Sequence, residues 1–197
     1  MNQPPEIIRD FLPIAEFETF ALAAMTYPHY TPCAFTANEE EDDGSIWTFG
    51  ENLKEVNVRP EESMFQAVMF NRRLKYATDF YAMQSYFIQK FTKLLNVRRW
   101  WVMRINCTMQ ATENYVGRFH NDYGKEDSPW LHENCKTAVY YLNTNNGGTK
   151  FHDKDGPFVQ SKANTLVKFP TSYQHAGVWC TNAKLRYALN MNYEENE

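Results

Sequence analysis

The feature that most constrains this chain is a change of period just after Asn96. Up to that point Phe80, Met83, Phe87, Phe91, Leu94 and Leu95 recur at three- and four-residue steps. That spacing predicts an amphipathic helix, capped by Thr78 or Asp79 and ending near Asn96. Beyond it, Trp101, Met103, Ile105, Cys107 and Met109 alternate with Val102, Arg104, Asn106 and Thr108. Alternation with period two is what a half-buried strand requires. Further short strand patterns span 115–120, 137–142, 149–151, 165–169, 177–180 and 186–193, and Asn145-Asn146-Gly147-Gly148 predicts a hairpin joining two of them. Helices followed by many short antiparallel strands point to an α+β protein whose C-terminal half is a sandwich or barrel.

The N-terminal half reads as support. Ile7 and Ile8 suit a short strand, and Phe17, Phe20, Ala21 and Ala24 follow Pro13 at helical spacing. Residues 27–50 read as loop, and Pro60-Glu61-Glu62 opens a second expected helix carrying Met64, Phe65, Val68 and Met69. At 197 residues the chain can bury roughly 70% of its unfolded surface, so folding needs no metal or disulfide staple. Cys33, Cys107, Cys135 and Cys180 form no CxxC pair, which argues against a thiolate metal site. Net charge is -4, but the run Glu39 to Asp43 holds five acids, so the remainder stands at +1 and offers no basic stripe for nucleic acid. Neither a signal-peptide pattern nor a run of 18 apolar residues occurs, so a soluble cytoplasmic protein with no membrane partner is expected.

Chemistry can rest on few residues, because there are five histidines: His29, His120, His132, His152 and His175. In His120-Asn121-Asp122 an imidazole and a carboxylate stand two apart, so in extended backbone both point to one face. Such a pair arises often in surface loops. With His175 brought in by a distant strand, it becomes two imidazoles and a carboxylate on one face of a metal, the set that suits non-haem Fe(II). The last strand adds a second signal: Arg186, Ala188, Asn190 and Asn192 share a face, and a guanidinium facing inward needs an anion. His152-Asp153-Lys154-Asp155-Gly156 reads as a polar turn, and His132 and Glu133 lie in a long 123–136 loop whose role as a lid is left open.

Together, His120-Asn121-Asp122, Thr137 to Asn143 with its Tyr140-Tyr141-Leu142-Asn143, Gly147-Gly148, Lys168 to His175, and Arg186-Tyr187-Ala188 resemble the Fe(II)- and 2-oxoglutarate-dependent dioxygenases, and within them the prolyl 4-hydroxylase branch. The resemblance covers roughly residues 100–193. It implies a double-stranded β-helix, or jelly roll, with N-terminal helices packed on the major sheet. It further implies one oxygenase domain over 1–197, in which 1–97 is mainly helical support and 98–197 the jelly-roll core. By the same likeness His120, Asp122 and His175 would ligate Fe(II), and Arg186 would pair with the distal carboxylate of 2-oxoglutarate. Tyr141 would donate to that carboxylate, Asn190 would be a small polar group facing the iron, and Thr137 would line the cosubstrate pocket. The implied cofactors are Fe(II), 2-oxoglutarate and O2, with ascorbate as an optional reductant. Because Asp122 keeps the carboxylate that related halogenases lack, hydroxylation is the implied outcome.

Three departures stand out. Lys184 falls nine residues past His175, where the family's basic residue usually lies, and Arg186 falls eleven past it; the Tyr-Ala that follows favours Arg186. Tyr115 lies five residues ahead of His120, farther than in the nearest branch. Where several prolyl hydroxylases carry a strand tyrosine, this chain has Arg104, Asn106 and Thr108. A prolyl residue in a peptide or protein is the first expected substrate, and a free amino acid or other small molecule the second. A catalytically silent jelly-roll binding protein is the rival of a different class. A peptide reader should show an open groove, whereas a metabolite enzyme should close its pocket over a second charged anchor. Oligomeric state is left open.

Overall fold

The computed structural model describes residues 4–27, 31–37, 45–49, 63–152 and 155–197. In chain order the elements are β1 (Glu6–Ile8), α1 (Ile14–Met25), β2 (Thr31–Ala37), β3 (Ser45–Phe49), β4 (Ser63–Asn71), β5 (Tyr76–Ala77), α2 (Asp79–Met83), α3 (Ser85–Leu94), β6 (Val97–Met109), α4 (Pro129–Asn134), β7 (Cys135–Tyr141), β8 (Gly148–Phe151), β9 (Phe158–Gln160), β10 (Thr165–Pro170), β11 (His175–Val178) and β12 (Leu185–Glu195). Among the described residues two antiparallel sheets form. The major one runs β1-β10-β7-β12-β6-β4-β2-β3 with β5 on β4, and the minor one β11-β8-β9. Two facing antiparallel sheets of unequal size, with helices on the outer face of the larger, make the expected jelly roll.

The helices sit where the aromatic stripe predicts. Phe17, Phe20 and Ala24 of α1, with Phe87 and Phe91 of α3, bury against Met103, Ile105, Tyr140, Leu189 and Tyr193 of the major sheet. Phe20 meets Phe91 edge-on at 5.3 Å, and Phe91 meets Tyr140 at 5.8 Å. Each such ring contributes roughly 1.5–3 kcal/mol by leaving water. Thr78 is the cap, accepting from the Tyr81 amide at 3.2 Å. The predicted single helix breaks at Gln84 into α2 and α3, which turns Met83 outward to 76% exposure and off the stripe.

Other expectations are corrected. Residues 63–71 are strand β4, not a helix, because pairing with β6 puts Ala67 and Met69 into the core and overrides a weak local helical pattern. With β2 and β3 lying in the stretch expected as loop, strands fill the region before residue 97 as much as helices do. Gly147 and Gly148 do not close a hairpin: β7 lies in the major sheet and β8 in the minor one, so the turn carries the chain between sheets. There an added Cβ on Gly148 would stand 2.1 Å from the Val159 carbonyl oxygen, which is why the crossing takes glycine. The 115–120 stretch makes only isolated bridges, Val116 to Val178 and His120 to His175. Residues 129–134 of the expected long loop form α4, whose Leu131 packs with Tyr123 and Cys135. The acidic run 39–43 lies outside the described residues, and among those described no helix is long and apolar enough to cross a membrane.

Candidate active site

The site begins as a backbone pairing. His120 and His175 exchange both main-chain hydrogen bonds, at 3.0 and 2.9 Å, so their side chains project from the same face and their rings lie 4.5 Å apart. Asp122, two residues on, turns to the same side, with Oδ2 4.0 Å from His175 Nε2. One ligand atom from each of the three lies within 4.8 Å of the others, a grouping able to hold one metal ion. Each imidazole is oriented from behind: His120 Nδ1 meets the Arg118 carbonyl and His175 Nδ1 the Tyr173 carbonyl, both at 3.1 Å. Since a carbonyl only accepts, each Nδ1 carries a proton, which leaves Nε2 as the ring nitrogen that a metal would take.

The Asp122 side chain is fully buried and held on both oxygens. Arg104 Nη2 donates to Oδ1 at 3.0 Å, while Asn192 Nδ2 donates to Oδ2 at 2.9 Å beside the Thr137 hydroxyl. Burial would raise the Asp122 carboxyl, but His175, Arg104, His120 and Thr137 outweigh it and hold it at about 2. Desolvation, followed by the neighbouring His175, pushes His120 down to about 4. At neutral pH the cluster is therefore one carboxylate and a neutral His120, the protonation states that metal binding demands.

A cavity of about 120 Å³ opens beside the two histidines, walled by Arg104, Thr108, Arg186 and Asn190 among others. Arg186 is only 5% exposed. Its Nη2 donates to the Gly148 carbonyl at 3.0 Å and its guanidinium lies 5.7 Å from the Tyr141 ring centre, but no carboxylate among the described residues balances it. Burial accordingly lowers its pKa. Arg186 Nε and Thr108 Oγ1 are buried with no protein partner, an expensive arrangement unless an anion accepts from both, and Asn190 Oδ1, buried and unpartnered as well, is an acceptor that calls for a donor instead. The residues thus fit both groups that the sequence resemblance implies: a three-ligand face for a divalent ion, and a charge-unbalanced guanidinium with the Thr108 hydroxyl for a dicarboxylate.

Not every expected residue lies on that cavity. Asn190 does. Tyr141 is fully buried beside Arg186, and its hydroxyl meets Thr149 at 2.8 Å and the Val159 carbonyl at 3.2 Å as well as the Arg186 side chain. Thr137 does not line the cosubstrate side; it donates to Asp122 and orients that carboxylate. Lys184 is exposed, so Arg186 alone of the two basic candidates reaches the interior. His132 meets the Tyr123 carbonyl at 2.7 Å, and the His152 ring lies tilted against Tyr173 at 5.2 Å; neither belongs to the triad. His29 and Asp153 lie outside the described residues. Arg104, Thr108 and Asn192, expected only as polar positions on their strands, join the site: Arg104 and Thr108 line the cavity, and Arg104 and Asn192 hold Asp122.

No family model matches this sequence, and no curated protein matches it by sequence. Solved structures do. An oxidoreductase of the 2OG-Fe(II) oxygenase family from Burkholderia pseudomallei superposes with a TM-score of 0.62 at 10% identity, over 98% of this chain and 86% of its own. A prolyl hydroxylase from Trichoplax adhaerens, solved with a hypoxia inducible factor peptide fragment, gives 0.57 at 15% over 97% and 83%. The non-heme alpha ketoglutarate dependent epimerase SnoN from nogalamycin biosynthesis gives 0.56 at 10% over 97% and 78%. The chain has the fold of the 2-oxoglutarate-dependent Fe(II) oxygenases, prolyl hydroxylases included.

Proposed function

We propose that this chain, as one catalytic unit over 1–197, is an Fe(II)- and 2-oxoglutarate-dependent oxygenase that hydroxylates an unactivated C–H bond. One observation carries the reading: a buried, unbalanced guanidinium, Arg186, shares a cavity with a His120-Asp122-His175 cluster built to hold one ion. His120, Asp122 and His175 would hold the iron, and Arg186 with Thr108 the distal carboxylate of 2-oxoglutarate. When bound, the iron supplies the oxidation chemistry, activating O2 at the expense of 2-oxoglutarate. The chain's own contribution is positional. Backbone carbonyls fix both imidazole tautomers, Arg104, Thr137 and Asn192 fix the carboxylate, and Val139, Ala188 and Trp179 line a wall that limits water.

Peptidyl proline is the substrate class supported by the sequence resemblance and by the peptide-bound structural relative. A second reading, a free amino acid or small metabolite, is favoured by one feature: Arg104, a second guanidinium in the cavity wall. The test is succinate release from 2-oxoglutarate by the full chain. It should require Fe(II) and vanish in His175→Ala and Asp122→Ala, while Co(II) should bind the wild type with a visible absorption band. A wild-type protein that binds neither ion refutes the oxygenase reading and leaves a binding protein of the same shape.

A further inference from the structure

Charge inside the cavity does not close with metal and cosubstrate alone. A divalent ion, Asp122, dianionic 2-oxoglutarate and Arg186 together carry no net charge. Arg104 is then left over. In the described arrangement Arg104 leans on Asp122, but a bound ion draws on that same carboxylate, and the side chain is only 17% exposed to water. Its fork is also underused: Nη2 is engaged, while Nε is buried with no partner. Asn106, two residues along the same strand face, accepts from Gln66 Nε2 at 2.8 Å through Oδ1, which leaves its Nδ2 hydrogens to donate at the cavity wall. Arg118 stands on the wall as well, and among the described residues no Asp or Glu side chain is part of that lining.

Granted the oxygenase reading above, we infer that the substrate carries a carboxylate that docks on Arg104 and Asn106, close to the metal ligands. A guanidinium and a primary amide on one pleat present the parallel donors that a planar carboxylate accepts. A prolyl ring flanked by peptide amides brings no charge to balance Arg104. The cleaved C–H bond should therefore lie within a few bonds of an acid group, which makes the substrate a small carboxylic acid.

The test uses the full chain loaded with Co(II) and with the 2-oxoglutarate site filled by unreactive N-oxalylglycine. Small carboxylic acids and their primary amides, among them proline with prolinamide, are titrated in matched pairs, together with a proline-rich peptide. Binding is read by ligand NMR and by the Co(II) absorption band. Acids should bind roughly 10-fold or more tightly than their amides and shift the band. Arg104→Gln should erase that preference, and Arg104→Lys should keep part of it. Amides or the peptide binding as well as the acids overturns the inference while leaving the oxygenase reading intact, because Co(II) loading and N-oxalylglycine binding are measured separately. An acid preference that survives in Arg104→Gln overturns it too. Failure of Co(II) to bind wild type overturns both.

Discussion

Arg186→Met should stabilise the empty protein and end its cosubstrate binding. In place the guanidinium is 5% exposed, with a hydrogen bond to Gly148 and Tyr141 beside it through both ring and hydroxyl. Losing the charged hydrogen bond costs about 1.5–3 kcal/mol and the ring contact about 1 kcal/mol. Against this stands the desolvation of an unbalanced buried ion, several kcal/mol, which an apolar side chain of similar length removes. The difference favours methionine by about 1–2 kcal/mol, a rise in melting temperature of roughly 2–8 °C for a chain of this size. Urea and thermal unfolding of metal-free protein measure it. A second arm adds metal and 2-oxoglutarate: at about 100 times Kd the wild type should gain about 2.7 kcal/mol and the variant nothing. If Arg186→Met instead loses 2 kcal/mol or more without ligand, the guanidinium is a structural tie and the anion-receptor argument fails.

Three further outcomes follow from the same geometry. Asp122→Ala strands Arg104 in the cavity wall and should cost about 3–5 kcal/mol in urea unfolding, whereas Asp122→Ala with Arg104→Met should recover most of it; equal losses in single and double variants would deny the pair. Gly148→Ala drives a Cβ to 2.1 Å from the Val159 carbonyl oxygen, so it should abolish β8–β9 protection in hydrogen exchange or unfold the chain. For pH, His120 falls from 6.5 to about 4 on folding, so metal-free stability is full above 6.5 and declines toward 4 by about 3 kcal/mol. Asp122, lowered from 3.8 to about 2, loses its share only below 3.8, outside that window. The slope between pH 6.5 and 4.5 should flatten in His120→Asn, and an unchanged slope would contradict the desolvation of this imidazole.

Much of the site was legible because it is carried by short local patterns. His120 with Asp122 is an i, i+2 pair, and Arg186 and Asn190 share one face of a terminal strand, so period two places them without knowledge of the sheet. Thr137 was placed on the right face, but its partner was not foreseen: Asp122 reaches it from a turn 15 residues away in sequence. Tyr141 likewise has a partner that its strand does not name. Its hydroxyl is captured by Thr149 of the other sheet, a neighbour no strand pattern names.

What the sequence by itself determined is the alternation from Trp101 onward, the aromatic helix face before it, and the residue types able to hold an ion and an anion. These are properties of local period and side-chain chemistry. Tertiary structure decided the rest. The β6 edge made a strand of 63–71 despite its helical pattern, because a long partner strand offers burial and hydrogen bonds that local propensity cannot match. The crossing at Gly147-Gly148 sent β8 to the minor sheet, and that in turn set His175 against His120. Arg104 was visible as a polar residue on a strand, but only the folding of Asp122 against it, 18 residues later in the chain, made it the second cation of the pocket. Contacts between residues far apart in sequence depend on which elements pair, and pairing is settled by the whole core.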